Sequence, residues 1–323
     1  MALIFRGRGR NRLMKRINQS IVPRHYSDLR LDSYLAKRFC YLSREKWKEE
    51  ILQGKVLKNG EKVLKHDRRI KEGDLIEYEG VDIIEPEIDR NYSILYEDDH
   101  ILAVDKPGNI PVHPVGRFFN HTLLVILQND LNLKLYTLHR LDRETSGVIL
   151  FAKDFETASA IQKNFKKVRK KYMAIVSGIM KKDGFTIDMP MGPAMNSEIK
   201  SKMACYRGAE LSAVTHLRKI KIFGSHTLVE AAPVTGRQHQ IRAHLRHVGL
   251  PVLGDKLYGP DEKLYLDFIR KGNTEDIIKR AGFFRTALHS KSIIFMHPAF
   301  GREIEIESPL PECFIEYISN GGE

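Results

Sequence analysis

LHRLDRETSGVILFAKD (138–154) carries an arginine, an aspartate and a cluster of turn-forming residues into an unbroken apolar run. VILFA (148–152) has strand length and no polar position, which predicts a strand buried on both faces. Asp142 precedes that run by six residues, across Arg-Glu-Thr-Ser-Gly. Asp, Thr, Ser and Gly build turns through local hydrogen bonds and tolerance of unusual φ, so spacing alone favours a turn aspartate. The alternative is a carboxylate held for chemistry at the mouth of a buried strand. The tripeptide itself does not decide, because Arg30-Leu31-Asp32 repeats it where Asp32 reads as a surface helix residue.

Outward from this stretch the pattern is mixed. ILYEDDHILAVDKP (94–107) predicts two strands around an acidic turn, and residues 121–130 and 155–168 read as helices. GVILFAK, KKYMAIVSG, LSAVTHLRKIKIF and HTLVEAAPV read as strands. Adjacent strands with interspersed helices predict an α+β domain over residues 92–323, with a largely antiparallel mixed sheet and flanking helices. In TGRQHQIRAHLRHVG (235–249), Thr235 is a candidate cap and Ile241, Leu245 and Val248 recur at helical spacing. That puts Gln238, Arg242 and Arg246 on the opposite face. His239, His244 and His247 match no usual ligand spacing and have no carboxylate beside them, so no metal is expected.

The 323 residues are enough for two domains, and no apolar run approaches the length of a membrane span. Cys40, Cys205 and Cys313 form no C-x-x-C pair, which argues against a zinc site or a disulfide framework. A cytoplasmic chain is expected. Of the net charge of +12, residues 1–80 hold +9, from 20 Lys+Arg against 11 Asp+Glu. A basic excess confined to one end predicts a grip on a polyanion. Residues 1–24 read as a basic, flexible arm, with a mitochondrial transit peptide as the alternative. Within 25–80, Asp28 and Ser43 are candidate caps of two short helices, and Asn59-Gly60 predicts a hairpin. Arg68 and Arg69 follow, before an alternating strand. VDIIEPEIDRN (81–91) is acidic, Pro-containing and aperiodic, and reads as a linker.

RLDSYLA, LSREKWKEEILQGKVLKNGEKV and IKEGDLIEYE resemble the αL RNA-binding fold named after a small-subunit ribosomal protein, a small α/β domain. H-R-L-D-x-x-T-S-G-V-I-L-F-A-K resembles the hallmark of the pseudouridine synthases, in the subgroup that includes the RluA, RluC and RluD enzymes. VDKPGNIPVHP (104–114), KKYMAIVSG (170–178), TGRQHQIRAHLRHVGLPVLGDKLYG (235–259) and ALHSKSIIFMHPAFGREIEIESPLP (287–311) are similar to the family's further blocks, in the same order. The likeness spans the front module as well and leaves only the Arg-rich leader without a counterpart.

What the resemblance implies is an enzyme that isomerises uridine to pseudouridine with no cofactor, since the reaction involves no redox step and no gain or loss of atoms. Asp142 matches the catalytic aspartate, Arg242 its cationic partner in an expected bidentate pair, and Tyr172 the aromatic that packs on the target base. Arg140 matches the arginine that fills the space left by a flipped base. KNFKKVRKK (163–171), with six cations around Phe165, offers Lys166, Lys167 and Lys170 as phosphate contacts, as Arg68 and Arg69 do in the front module. An αL-type module ahead of the catalytic domain implies large-subunit ribosomal RNA as the partner, with transfer RNA or a non-catalytic RNA-binding role as alternatives. An aspartate-nucleophile hydrolase is disfavoured because no second carboxylate stands out across the bond.

Overall fold

The computed structural model describes residues 18–39, 42–79, 85–116, 118–259 and 261–322. The chain forms two compact units. One reaches Pro86 and takes back Pro114–His121, and the other comprises Glu87–His113 and Thr122–Glu323.

The first unit contains β1 (Asn18–Ile21), α1 (Leu31–Arg38), α2 (Arg44–Leu52), β2 (Val56–Lys58), β3 (Glu61–Lys62) and β4 (Leu75–Tyr78). Its sheet runs β1-β4-β2-β3, antiparallel throughout. Leu31, Tyr34, Leu35, Trp47, Ile51, Val56 and Ile76 form its core. The Ser43 hydroxyl caps α2 by accepting from the Lys46 amide at 3.2 Å, as its sequence predicts. Asn59 and Gly60 adopt positive φ of 52° and 82°, which the tight β2–β3 turn requires.

Three expectations are corrected here. Asp28 is not the cap of α1: it has φ of 70°, and the helix begins at Leu31. The first amides of α1 are satisfied by backbone carbonyls instead, Leu31 donating to Arg68 at 2.9 Å and Asp32 to His66 at 3.0 Å. Asp32 is not a surface residue; its side chain is fully buried between the guanidinium groups of Arg30 and Arg44. The arm does not extend to residue 24. Residues 1–17 lie outside the described residues, but β1 is hydrogen-bonded along β4, with Ser20 and Val22 buried and Gln19 and Ile21 exposed. That period of two was masked by the basic composition around it. Of the expected linker, residues 81–84 lie outside the described residues. Glu85 is fixed, its carboxylate accepting from the Phe119, Asn120 and His121 amides at 2.7–3.0 Å.

The second unit begins with β5 (Ser93–Glu97), β6 (Ile101–Lys106), α3 (Leu123–Leu131), β7 (Tyr136–Thr137), β8 (Ser146–Ala152), α4 (Phe155–Lys163), β9 (Arg169–Ser177) and β10 (Gly184–Asp188). It continues through β11 (Met191–Pro193), β12 (Met203–Cys205), β13 (Val214–Phe223), β14 (His226–Pro233), α5 (Gln240–His247), α6 (Lys263–Lys271), α7 (Glu275–Ala281), β15 (Leu288–Met296), β16 (Glu303–Glu307) and α8 (Glu312–Ser319). The main sheet runs β10-β13-β14-β9-β15-β8-β6-β5, with β16 on β15 and β7 on β8. Among the described residues its pairings are antiparallel except for a short parallel contact of β8 with β15. The fold is therefore α+β with a mixed, largely antiparallel sheet.

All seven residues of β8 are buried, as the apolar run predicts. Where β8 meets β15, a Cβ on Gly147 would lie 2.2 Å from the Ser290 carbonyl oxygen, and Gly147 has φ of +105°. Only glycine fits that crossing. It brings the loop before β8 alongside Ser290, which pairs in register with Tyr172 on β9.

Candidate active site

Asp142 is both a turn residue and part of a cleft wall. Its carbonyl closes a turn by accepting from the Thr145 amide at 3.1 Å, while its carboxylate lines a cleft of about 320 Å³. The loop that carries it is strapped from behind. Lys106, fully buried at the end of β6, donates to the carbonyls of Pro107, Ile110 and Arg143 at 2.8, 2.9 and 3.0 Å. Glu144 next to it accepts from Lys256 at 2.8 Å and from the Thr286 hydroxyl at 2.9 Å. The position of Asp142 is thus set by strands β6, β8 and the approach to β15.

Arg242 comes from α5. This helix starts later than its sequence suggests, at Gln240, with His239 as its cap. Thr235 is not the cap: its hydroxyl donates to Gln240 Oε1 at 2.7 Å and accepts from the Val214 amide at 3.0 Å. Gln238 therefore precedes the helix, and Arg242 faces inward beside the buried Ile241 and Leu245. The expected bidentate Arg242–Asp142 pair is also corrected. The Arg242 fork grips Asp255, Nε to Oδ2 at 2.6 Å and Nη2 to Oδ1 at 2.8 Å, and Nη1 alone reaches Asp142 Oδ2 at 2.6 Å. Asp255 Oδ1 accepts in addition from the Leu257 and Tyr258 amides at 3.0 and 2.9 Å. Tyr258 lies under the guanidinium, 5.0 Å from its ring centroid. Asp255 is the base of the assembly, Arg242 the arm and Asp142 the tip.

The electrostatics follow. Burial would raise the Asp142 carboxyl, but the Arg242 charge and hydrogen bond outweigh it and hold Asp142 below the ordinary carboxylate value. Burial works against the charge on Arg242 too, and is overcome by its two carboxylates. Asp142 is therefore ionised at neutral pH though largely enclosed. Tyr172, on β9 across the cleft, is pushed up to about 12, chiefly by burial, and stays a neutral phenol. His239, pushed down to about 4 by burial and by the Arg242 charge, is a neutral imidazole.

Five of the residues singled out in the sequence line this one cleft: Asp142, Arg242, Tyr172, Arg140 and Lys170. Arg140 is exposed, and Lys170 is half-buried with its ammonium 4.9 Å from the Phe165 ring centroid. Lys166 and Lys167 are exposed on the 3-10 turn that follows α4 and do not line the cleft. Arg68 and Arg69 are exposed in the other unit, Arg69 donating to the Asp28 carbonyl at 2.6 Å. His244 donates from Nε2 to the Met189 carbonyl at 3.0 Å and has Nδ1 2.8 Å from the Thr215 hydroxyl, so it diverges from His239. Among the described residues no group of three or more His, Cys, Asp or Glu is placed to hold a metal ion.

Residues 100–247 match the RNA pseudouridylate synthase family, and residues 29–76 match the S4 domain. A ribosomal large subunit pseudouridine synthase D of Xanthomonas campestris pv. campestris is 34% identical over 309 residues, covering 92% of this chain and 90% of that protein. The chain belongs to the RNA pseudouridylate synthase family. An uncharacterized RNA pseudouridine synthase of Bacillus subtilis, YlyB, is 33% identical, with 90% of this chain and 93% of that one covered. The solved structure of human RNA Pseudouridylate Synthase Domain Containing 4 superposes with a TM-score of 0.54 at 30% identity, over 70% of this chain and 92% of that chain. The protein is thus a pseudouridine synthase, an isomerase, with an S4 domain at its N-terminal end. No helix among its described residues is long and apolar enough to cross a membrane.

Sequence reasoning missed the supports of this synthase's cleft. Asp255, Tyr258, Lys256 and Glu144 act through side-chain partners 13 to 142 residues away, which no local pattern reveals. Lys106 did leave a signal, since a lysine that closes the apolar strand ILAVDK directly before proline has few solvated positions to occupy.

Proposed function

We propose that the synthase isomerises specific uridines of large-subunit ribosomal RNA, with Asp142 attacking the ribose of a flipped nucleotide. The observation that carries this reading is the state of the Asp142 carboxylate. It is ionised, Oδ2 is held by Arg242, and Oδ1 has no hydrogen bond among the described residues and faces the cleft. In the reaction Oδ1 adds to C1′ as the bond from C1′ to N1 breaks. The uracil turns, C5 bonds to C1′ as the carboxylate leaves, C5 loses its proton and N1 gains one. Atoms balance without any cofactor. Tyr172, neutral and rigidly held, supplies an apolar face for the turning base, and its phenol stands near the path of the C5 proton. Arg140, exposed at the rim, takes the stacking place that the base vacates, which offsets part of the few kcal/mol that flipping costs. Lys170, Lys166 and Lys167 meet phosphates beside the target, and the S4 unit with Arg68 and Arg69 holds further phosphates, fixing register without reading sequence. The ribosomal assignment is supported by relatives named for the large ribosomal subunit and by that second grip, and a cytoplasmic location fits such a substrate.

The test is release of tritium from RNA labelled at uracil C5, followed by mapping of pseudouridine in ribosomal and transfer RNA offered at physiological salt. The expected result is stoichiometric release at discrete ribosomal uridines. Conversion confined to transfer RNA overturns the substrate, and no release from any RNA overturns the catalytic reading. Arg140→Ala should slow conversion in folded RNA more than in a short flexible strand; equal losses would exclude the stacking role.

A further inference from the structure

Among the described residues, His239 is a titratable group beside the free oxygen of Asp142 that the reaction above leaves without a task. Its Nε2 lies 3.8 Å from Asp142 Oδ1, too far for a hydrogen bond, while its side chain is 11% exposed, at the cleft wall. It caps α5 with φ of 56°, a left-handed conformation uncommon outside glycine, which turns the ring toward Asp142. The other ring nitrogen fixes the tautomer. Nδ1 is 3.1 Å from the Tyr258 hydroxyl, and that oxygen already accepts from the Met203 amide at 2.9 Å. Burial pushes the Tyr258 phenol up, so it keeps its proton, and His239 Nδ1 is the acceptor available to that proton among the described residues. Nδ1 is therefore the acceptor and Nε2 carries hydrogen, aimed into the cleft.

A donor and an acceptor 3.8 Å apart and not bonded to each other can share one oxygen at about 2.7–3.0 Å from each, provided that oxygen both accepts and donates. An ether or a carbonyl does not qualify; a hydroxyl does. Inside an RNA strand the 3′ and 5′ oxygens are phosphate esters and the ring oxygen has no proton, which leaves the 2′-hydroxyl. We propose that His239 Nε2–H and Asp142 Oδ1 together clasp the 2′-hydroxyl of the target uridine, making His239 the residue that selects ribose and seats C1′ against the carboxylate. Tyr258 is a positioning residue for this contact, because it sets which imidazole nitrogen carries the proton. The proposal rests on the reading of the cleft as a uridine site.

The experiment is a cycle between residue and substrate atom. A ribosomal RNA fragment spanning the uridine mapped above is assembled with uridine or 2′-deoxyuridine at that single position. Single-turnover conversion is measured for the wild type, His239→Ala and His239→Asn, the last because asparagine tolerates the left-handed conformation yet is too short to reach. The 2′-hydroxyl alters the intrinsic lability of the glycosidic bond equally in all three, so the ratio of 2′ effects isolates the contact. On the ribose substrate both variants should be slower by roughly tenfold, and the effect of removing the 2′-hydroxyl should shrink by roughly tenfold relative to wild type. A 2′ effect within about twofold of wild type in a folded variant, shown by its thermal unfolding, overturns this inference alone. Wild-type enzyme that converts no uridine at all overturns the reading beneath it as well.

Discussion

Two Arg-Leu-Asp tripeptides occur in this chain, and their carboxylates end in opposite surroundings. At 30–32 the arginine folds back: Arg30 Nε reaches Asp32 Oδ1 at 3.2 Å and Nη2 reaches Oδ2 at 3.3 Å. Arg44 adds a bond at 3.1 Å and the Ser33 hydroxyl another at 3.3 Å. Both oxygens are saturated and the side chain has no exposure, so Asp32 can only hold α1 and α2 together. At 140–142 the arginine turns away into the cleft, and the partner of Asp142 comes from α5, 100 residues on. Only one oxygen is taken, and the side chain keeps 24% exposure. Leu31 and Leu141 anchor their tripeptides in apolar clusters alike, so the difference is not in burial of the middle residue. The two carboxylates differ in how many of their lone pairs are already engaged, and only Asp142 keeps an oxygen open to a ligand.

The strongest way to break this contrast is Asp142→Ala. Pseudouridine formation should fall below about one per cent of wild type, because an essential attacking group is lost. Thermal stability and RNA affinity should change little, since Arg242 keeps its two bonds to Asp255 and is not orphaned. Residual turnover above that level would remove Asp142 from the chemistry.

Asp255→Asn should cost about a hundredfold in single-turnover rate while leaving RNA affinity intact, as expected when a reacting group shifts by about an ångström. A loss under threefold would mean that Asp142 holds Arg242 in place unaided. The companion variant Arg242→Gln separates geometry from charge. Activity needs the ionised carboxylate, and Arg242 holds Asp142 below its ordinary value, so the wild-type rate should fall only in acid below the usual carboxylate range. Without the guanidinium, burial dominates and the acid limb should move to higher pH. An unmoved limb would contradict the pairing.

Asp32→Ala should do the reverse of Asp142→Ala. The first unit should lose about 1–3 kcal/mol, less than for a fully enclosed pair because Arg30 and Arg44 can return to water. The chain has one tryptophan, Trp47, in the core of this unit, so its fluorescence in urea reads that unit alone. Burial would raise the Asp32 carboxyl, but its bonds to Arg30 and Arg44 lower it overall. Its contribution is therefore present at neutral pH and lost as pH falls through the folded value, and the two proteins should converge in acid. Turnover on a short RNA should stay within about threefold of wild type; a larger drop would make the first tripeptide catalytic too.

The smallest effects belong to the exposed cations. Lys166→Ala with Lys167→Ala, and separately Arg68→Ala with Arg69→Ala, should each flatten the dependence of log affinity on log salt by roughly 0.7 for every phosphate no longer neutralised. An unchanged slope in either pair would remove that surface from the RNA path.

How legible all this was in the sequence follows from the range of the interactions. The strand of 146–152, the Ser43 cap and the Asn59-Gly60 turn depend on neighbours a few residues away, and their patterns predict them. Asp142 and Arg242 were found together only because long motifs resemble a family's; periodicity put Arg242 on the solvated side of its helix. That failed because α5 is buried on more than one side: Ile241 and Leu245 enter the apolar core, while Arg242 meets Asp142 and Asp255. Asp32 was misread for a related reason: the 66–70 segment that buries its surroundings has no periodicity of its own.

Gly147 has no functional group, donates nothing to the cleft and would be passed over in any search for reactive side chains. Yet the interval between β8 and β15 is set by the atoms it lacks, and with it the separation of the loop of Asp142 from the strand of Tyr172. Drift at this position is closed even to alanine, whatever the surrounding apolar residues tolerate. The cleft thus inherits one of its dimensions from a vacancy in the sheet, and mutational silence there is a functional constraint that chemistry alone would not disclose.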